Sequence, residues 1–118
     1  MIEMQIAERT FQMWDYHSSH SQLLLRSPKR PGITTNIDIK FFGVAYLNIP
    51  TIIRGCAIGE ATAAEIEQID SLLPNRADVN RVFIISSAGN RYPIVAVNYK
   101  ISENTLDIFQ TILDRYDA

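Results

Sequence analysis

The two histidines of this chain stand three residues apart, within the segment DYHSSH at positions 15–20. Imidazole changes its charge near neutral pH, and imidazole and carboxylate groups are common zinc ligands. Asp15, His17 and His20 are therefore the first candidates for acid–base or metal chemistry. On one continuous strand, residues 17 and 20 would point to opposite faces. Only a turn between them brings the rings together, and a mononuclear zinc site would still need a third protein ligand.

No other motif in the sequence defines a chemistry. The serines near His17 lack the Gly-x-Ser-x-Gly elbow of hydrolases, and no glycine-rich phosphate loop is present. The single cysteine, Cys56, has small or apolar neighbours, a pattern typical of a buried thiol. The sequence therefore predicts no catalytic residues, no metal and no cofactor, and it favours a non-enzymatic protein.

Two aromatic side chains next to the histidines are candidates for a contact surface. If Phe11 and Met13 face the core, strand alternation places Trp14 and Tyr16 on the opposite face. Exposed aromatic residues beside a polar tip are typical of a surface that binds a partner. A covering helix would instead bury this face, and the sequence leaves that alternative open.

One basic cluster, Arg26, Lys29 and Arg30, surrounds a loop that contains two prolines. Such a cluster can contact phosphate, an acidic partner or a membrane surface, although most clusters of this size are solvated loops. The net charge of −2 argues against nucleic acid, whose binders usually carry a basic surplus. The candidate binding residues are Trp14, Tyr16, His17, His20, Arg26, Lys29 and Arg30.

Length and composition predict one domain that spans residues 1–118. Hydrophobic residues make up 47% of the chain and charged residues 20%, as in ordinary globular proteins. The start of the chain lacks a signal-peptide pattern, and no apolar run reaches the length of a membrane span. We therefore expect a cytoplasmic protein with no membrane contact.

Periodicity predicts a sheet-rich fold that begins with a β-hairpin. Strands at 10–17 and 22–26 form this hairpin, and residues 82–87 and 91–100 form a second one. Residues 36–42 alternate most clearly: Ile37, Ile39 and Phe41 point one way, while the polar residues between them point to solvent. Residues 44–49 and 52–58 are predicted as further strands between the hairpins.

Two helices complete the prediction. The capping box Thr62-x-x-Glu65 starts a helix at about 63–73. Ser102 caps a second helix at about 103–115, with an apolar stripe through Leu106 and Phe109. Together the elements predict an α+β fold, with a mainly antiparallel sheet of about five to seven strands packed with two helices.

These features favour a small intracellular module that binds or regulates another protein, such as an accessory protein, an inhibitor or an immunity-like protein. The alternative is a small metal-dependent or acid–base enzyme with its site at Asp15, His17 and His20. Sheet edges also allow a homo-oligomer, because exposed edges of two copies can pair.

Overall fold

The computed structural model describes residues 2–112, and their dominant element is one antiparallel sheet of eight strands. The elements are β1 (Ile2–His17), β2 (Gln22–Ser27), β3 (Asn36–Phe42), β4 (Tyr46–Leu47), β5 (Ile52–Glu60), α1 (Ala63–Leu72), β6 (Arg81–Ser87), β7 (Asn90–Ala96) and β8 (Asn98–Asn104). The strand order is β4-β7-β6-β5-β1-β2-β3-β8. The α+β prediction with two helices is therefore wrong: residues 2–112 form a sheet with a single short helix.

The predicted helix at 103–115 is replaced by the strand β8 and an irregular segment. Tyr99 and Ile101 pair with Phe41 and Ile39 of β3, and this long-range ladder takes the backbone groups that a helix would use. Residues 105–112 contain no helix. Positions 113–115 of the prediction lie outside the described residues. Tertiary pairing has therefore overridden a weak local helix signal.

The sheet curls so that strands from its two halves share one core. Residues 90–104 pair first with β6 and then, beyond Val97, with β3. Tyr99 consequently packs against Phe83 of β6 and Phe41 of β3, at ring-centroid distances of 5.3 and 5.6 Å. Gly43 lies at this crossing with φ +60°, and a Cβ there would meet a methyl group of Val97 at 2.7 Å. The close approach therefore requires glycine.

Both predicted hairpins are present, but with different bounds. The first strand begins at Ile2 rather than at residue 10, and the strand predicted at 91–100 is divided at Val97 into β7 and β8. β1 pairs with β2 across the turn at residues 18–21, and β6 pairs with β7 across Ala88 and Gly89. Ala88 and Gly89 have φ of 51° and 80°, as the central residues of a type I′ hairpin turn require. The strand predicted at 44–49 shortens to the two residues of β4, whereas the one predicted at 52–58 is present as β5.

The predicted first helix is confirmed together with its capping box. The Glu65 amide donates to the Thr62 hydroxyl, and the Thr62 amide donates to the Glu65 carboxylate. Arg91 of β7 holds the same carboxylate through two hydrogen bonds of 2.8 Å. The Arg91 guanidinium lowers the pKa of Glu65 from its usual 4.5 to about 2.

We expect this lowered pKa to make the start of α1 sensitive to acid. A carboxylate with a lowered pKa stabilises the folded state above its unfolded pKa, and the contribution disappears as the pH falls from about 4.5 to about 2. Arg91 is half exposed, so solvent screening limits the effect to about 1 kcal/mol. Between pH 6 and pH 2.5, the free energy of unfolding measured with urea should change less for Glu65→Gln than for wild type. Glu67→Gln on the exposed side of α1 is the control, and an equal change in both variants would contradict the expectation.

Candidate functional site

The outward side of β2 and β3 carries polar side chains that are buried. Arg26 and Asp38 are 1% and 0% exposed, and Asn36 and Lys40 are nearly as inaccessible. We call these four residues the polar face. The prediction that the polar positions of β3 point to solvent is wrong, as is the interpretation of Arg26 as part of a solvated basic loop. The reason is that residues 105–112 cover this side of the sheet.

Strand register brings the polar face together. Gln12, Arg26, Asp38 and Ser102 lie opposite one another in a row across β1, β2, β3 and β8. Because side chains alternate along a strand, the neighbours Leu25 and Ile39 point to the other side, where they join the apolar core. A single register therefore builds the core on one side of the sheet and the polar face on the other.

The centre of the polar face is a two-pronged ion pair between Arg26 and Asp38. Arg26 Nε donates to Asp38 Oδ1 at 2.7 Å, and Nη2 donates to Oδ2 at 2.9 Å. The Asn104 amide donates to Oδ2 at 2.8 Å, and the Trp14 ring lies 5.4 Å from the guanidinium carbon. Removal of two charges from water is costly, so this pair depends on its complete set of hydrogen bonds.

Residues 105–112, which we call the covering segment, are held over the polar face through their backbone. Arg26 Nη1 donates to the carbonyls of Gln110 at 2.8 Å and Asp107 at 3.5 Å. Three further donors reach carbonyls of the same segment: Lys29 Nζ to Thr105 at 2.6 Å, Asn36 Nδ2 to Leu106 at 2.9 Å, and Lys40 Nζ to Ile112 at 3.2 Å. Residues 107–110 are exposed to solvent, and Phe109 is 95% exposed.

Three of the predicted binding residues meet at one edge of the covering segment. Trp14, Arg26 and Lys29 line a cleft of about 370 Å³. The rest of its wall is Gln12, Pro28, Asn36, Leu106 and Ile108. These three residues therefore share one cleft, although Arg26 is buried and does not belong to a solvated loop as the sequence suggested.

The other predicted binding residues lie elsewhere. A β-bulge in β1 between Met13 and Asp15 shifts the register, so Tyr16 lies opposite Leu23, on the core side of β2. Trp14 lies beside Arg26 on the outward side, so the bulge separates the two aromatic rings that alternation had placed together. Arg30 is exposed in the loop between β2 and β3.

The turn between β1 and β2 brings His17 and His20 together. Their rings are stacked with centroids 4.7 Å apart, and the His20 amide donates to the His17 carbonyl at 3.2 Å. Within residues 2–112, no group of three or more His, Cys, Asp or Glu side chains is placed to hold a metal ion. Cys56 is buried in the core, and burial raises the pKa of its thiol to about 12, which suppresses its nucleophilicity.

Sequence reasoning missed Asn36, Asp38, Lys40 and Asn104 as members of a site. A strand with polar residues at every second position resembles an ordinary half-solvated strand. One signal was present: Arg26 follows three consecutive leucines, and a guanidinium within such a strand needs a buried acid. Asp38 at the matching position of the next strand supplies it.

Comparison with protein-family models, with curated proteins and with solved structures finds no match for this chain in any of the three. No helix among residues 2–112 is long and apolar enough to cross a membrane. The proposed function therefore rests on the chemistry of the polar face.

Proposed function

We propose that the chain is a non-enzymatic protein-binding module that holds an extended polypeptide segment on its polar face. One observation carries the proposal: five hydrogen bonds from Arg26, Lys29, Asn36 and Lys40 end on main-chain carbonyls of the covering segment. Main-chain carbonyls are common to all polypeptides, so these donors can bind a segment of different sequence. On this proposal the covering segment is an occupant supplied by the chain itself.

The covering segment has the features of a weakly held element. Its central residues, 107–110, are exposed, and only Leu106, Thr111 and Ile112 are partly buried. Segments with few buried apolar contacts open at low free-energy cost. A partner segment can therefore compete for the polar face without unfolding the sheet. The partner is a second protein, no cofactor is involved, and we retain the cytoplasm as the expected compartment.

Trp14 provides a direct test, because it is the only tryptophan and lies at the cleft beside the polar face. The probe is a synthetic peptide with the sequence of residues 103–112. We expect the variant Leu106→Ala/Ile112→Ala, whose covering segment is loosened, to show a saturable change in Trp14 emission. The wild type should need at least about tenfold more peptide, because a tethered segment competes at millimolar effective concentration.

Two further variants make this test specific. Phe109→Ala changes a side chain of the same segment that is 95% exposed, and we expect it to behave like wild type. Lys40→Met, introduced into the loosened variant, should weaken the peptide because it removes the donor to Ile112. If the loosened variant is folded and its emission does not respond to millimolar peptide, the proposed function is wrong.

A metal-dependent or acid–base enzyme at Asp15, His17 and His20 is the second candidate. The observation in its favour is the pair of stacked imidazoles at the hairpin tip. Zinc titration, monitored by calorimetry, separates the enzyme from the protein-binding module. A stoichiometric site that disappears in His20→Gln would support the enzyme, whereas weak binding that is equal in both proteins would remove it.

A further inference from the structure

The strand β8 forms one end of the sheet, and only one of its two edges is paired. Its seven residues, 98–104, pair with β3. Within residues 2–112, no main-chain group hydrogen-bonds to the other edge of β8. Such an edge presents a row of N–H and C=O groups that can pair with another strand. Native proteins usually protect a free edge with a proline, a bulge, a charged side chain or a covering element.

The strand β8 lacks most of these protections. It contains no proline, and its ladder with β3 runs without a bulge along its whole length. Both of its charged residues interact with groups on the side of β3. Lys100 Nζ lies 6.0 Å from the centroid of the Phe42 ring, and the Glu103 carboxylate accepts a hydrogen bond from the Thr35 hydroxyl. The two charges are therefore drawn toward the paired edge of β8 rather than the free one.

The centre of the free edge is apolar. Ile101 lies opposite Ile39 of β3, whose side chain is fully buried in the core. Ile101 itself is 43% exposed, so the apolar side of the sheet continues to the edge of β8 without a cover. A strand added at this edge would cover Ile101. Burial of apolar surface is the main favourable contribution to most protein associations.

A second copy of β8 fits this edge in one register. Directly opposite residues of two antiparallel strands share a face, so a two-fold axis must pass between two copies of the same residue. Only an axis at Ile101 gives all seven residues of both strands a partner. Lys100 then lies opposite Ser102 of the second copy, and Tyr99 lies opposite its Glu103. An axis at Lys100 or at Glu103 would instead place like charges directly opposite each other, which destabilises a ladder.

We propose that the chain forms a two-fold symmetric dimer in which the β8 strands of two copies pair antiparallel about Ile101. This inference does not depend on the proposed function, because it uses the edge of the sheet rather than the polar face. At the other end of the sheet, β4 has only two residues, too few to start a further ladder. Pairing through β8 therefore closes at two copies and does not continue into a fibre.

Sedimentation velocity from about 1 to about 200 μM protein measures the dimer, and we expect a reversible monomer–dimer equilibrium in this range. Ile101→Lys should weaken the dimer at least about tenfold. It places two like charges opposite each other at the axis and removes two apolar side chains from the contact. Ile52→Lys is the matched control, because it makes the same change at an isoleucine of similar exposure, 48%, on a strand inside the sheet. This variant should dimerise like wild type.

Engineered cysteines test the register directly, and they do so even if Ile101→Lys fails to fold. The native Cys56 is buried in the core, so it does not compete for oxidation in the folded protein. Ile101→Cys would place two thiols directly opposite each other, within reach of a disulfide, and mild oxidation should give a covalent dimer. Asn98→Cys is the control, because its two thiols would lie about 20 Å apart along the ladder and should not cross-link.

A wild-type dimer that is weakened by Ile101→Lys but not by Ile52→Lys, with cross-linking at position 101 but not at position 98, supports the proposal. A wild type that stays monomeric at about 200 μM overturns it. A dimer that a folded Ile101→Lys variant leaves unchanged overturns it as well, since the contact then lies elsewhere. Equal cross-linking at positions 98 and 101 contradicts the register. A mass that rises beyond the dimer contradicts the closed pair and means that β8 pairs with a different edge.

Discussion

Replacement of Asp38 by leucine should lower the free energy of unfolding by about 3–5 kcal/mol, the usual cost of leaving one member of a buried ion pair alone. Arg26 is 1% exposed, so its guanidinium cannot reach water without moving the covering segment. Asn104 would lose an acceptor at the same time. Urea unfolding monitored by Trp14 emission measures the loss.

Substitution of Arg26 and the double variant show whether the ion pair adds net stability or only avoids the cost of one unpaired buried charge. Arg26→Met should cost a similar amount, because it leaves Asp38 buried and unpaired. Arg26→Met/Asp38→Leu should recover a large part of the loss, since an apolar pair of similar volume avoids the desolvation penalty. A coupling energy of about 2–3 kcal/mol in the double-mutant cycle is the expected result.

A surface ion pair of the same residue types provides the control. Arg76 and Asp70 are 2.7 Å apart, but Asp70 is 48% exposed. Asp70→Leu should therefore change the stability by less than about 1 kcal/mol. Equal effects at positions 38 and 70 would mean that Asp38 is accessible to water in solution, and the description of a covered polar face would be wrong.

The double variant also separates stability from function. An apolar pair at positions 26 and 38 can restore the sheet, but it no longer donates to Gln110 or Asp107. We therefore expect the covering segment to be looser in the double variant than in wild type even where global stability is recovered. The reason is that the Arg26 guanidinium has two roles. It forms the ion pair within the sheet, and it donates hydrogen bonds to the covering segment.

Local signals in the sequence predicted the elements that depend on neighbours in the chain. The capping box at Thr62 and Glu65 determines where α1 begins, and both hairpins have short turns. Alternation correctly divided β3 into Ile37, Ile39 and Phe41 on one side and polar residues on the other. In each case the structure is determined by residues that are close together in the chain, so it can be predicted from the sequence alone.

The remaining features depend on partners that are distant in the chain. Alternation shows that Asp38 and Lys40 share a face, but not that residues 105–112 return to cover it. The bulge at Trp14 inserts one residue in β1 and changes the side on which Tyr16 lies. At positions 98–104, the ladder with β3 outweighs a plausible helix cap at Ser102. The candidate site was therefore only partly predictable, since its cover is a long-range contact.

Phe41→Ala should lower the free energy of unfolding about as much as Asp38→Leu does, for a different reason. The Phe41 ring is fully buried at the point where the curled sheet meets itself, 6.0 Å from the Phe83 centroid and 5.6 Å from that of Tyr99. Its truncation loses apolar burial and leaves a cavity between rings from three strands. Such substitutions typically cost about 3–5 kcal/mol.

Phe109→Ala is the matched control, because it makes the same chemical change on a ring that is 95% exposed. We expect its stability to remain within about 0.5 kcal/mol of wild type, as for most surface substitutions. Thermal and urea unfolding of both variants measure the difference. A cost below about 1 kcal/mol for Phe41→Ala would show that strands β3, β6 and β8 do not share one core. A large cost for Phe109→Ala would show that the covering segment packs its aromatic ring against the protein, and the backbone-only recognition on which the proposed function rests would then fail.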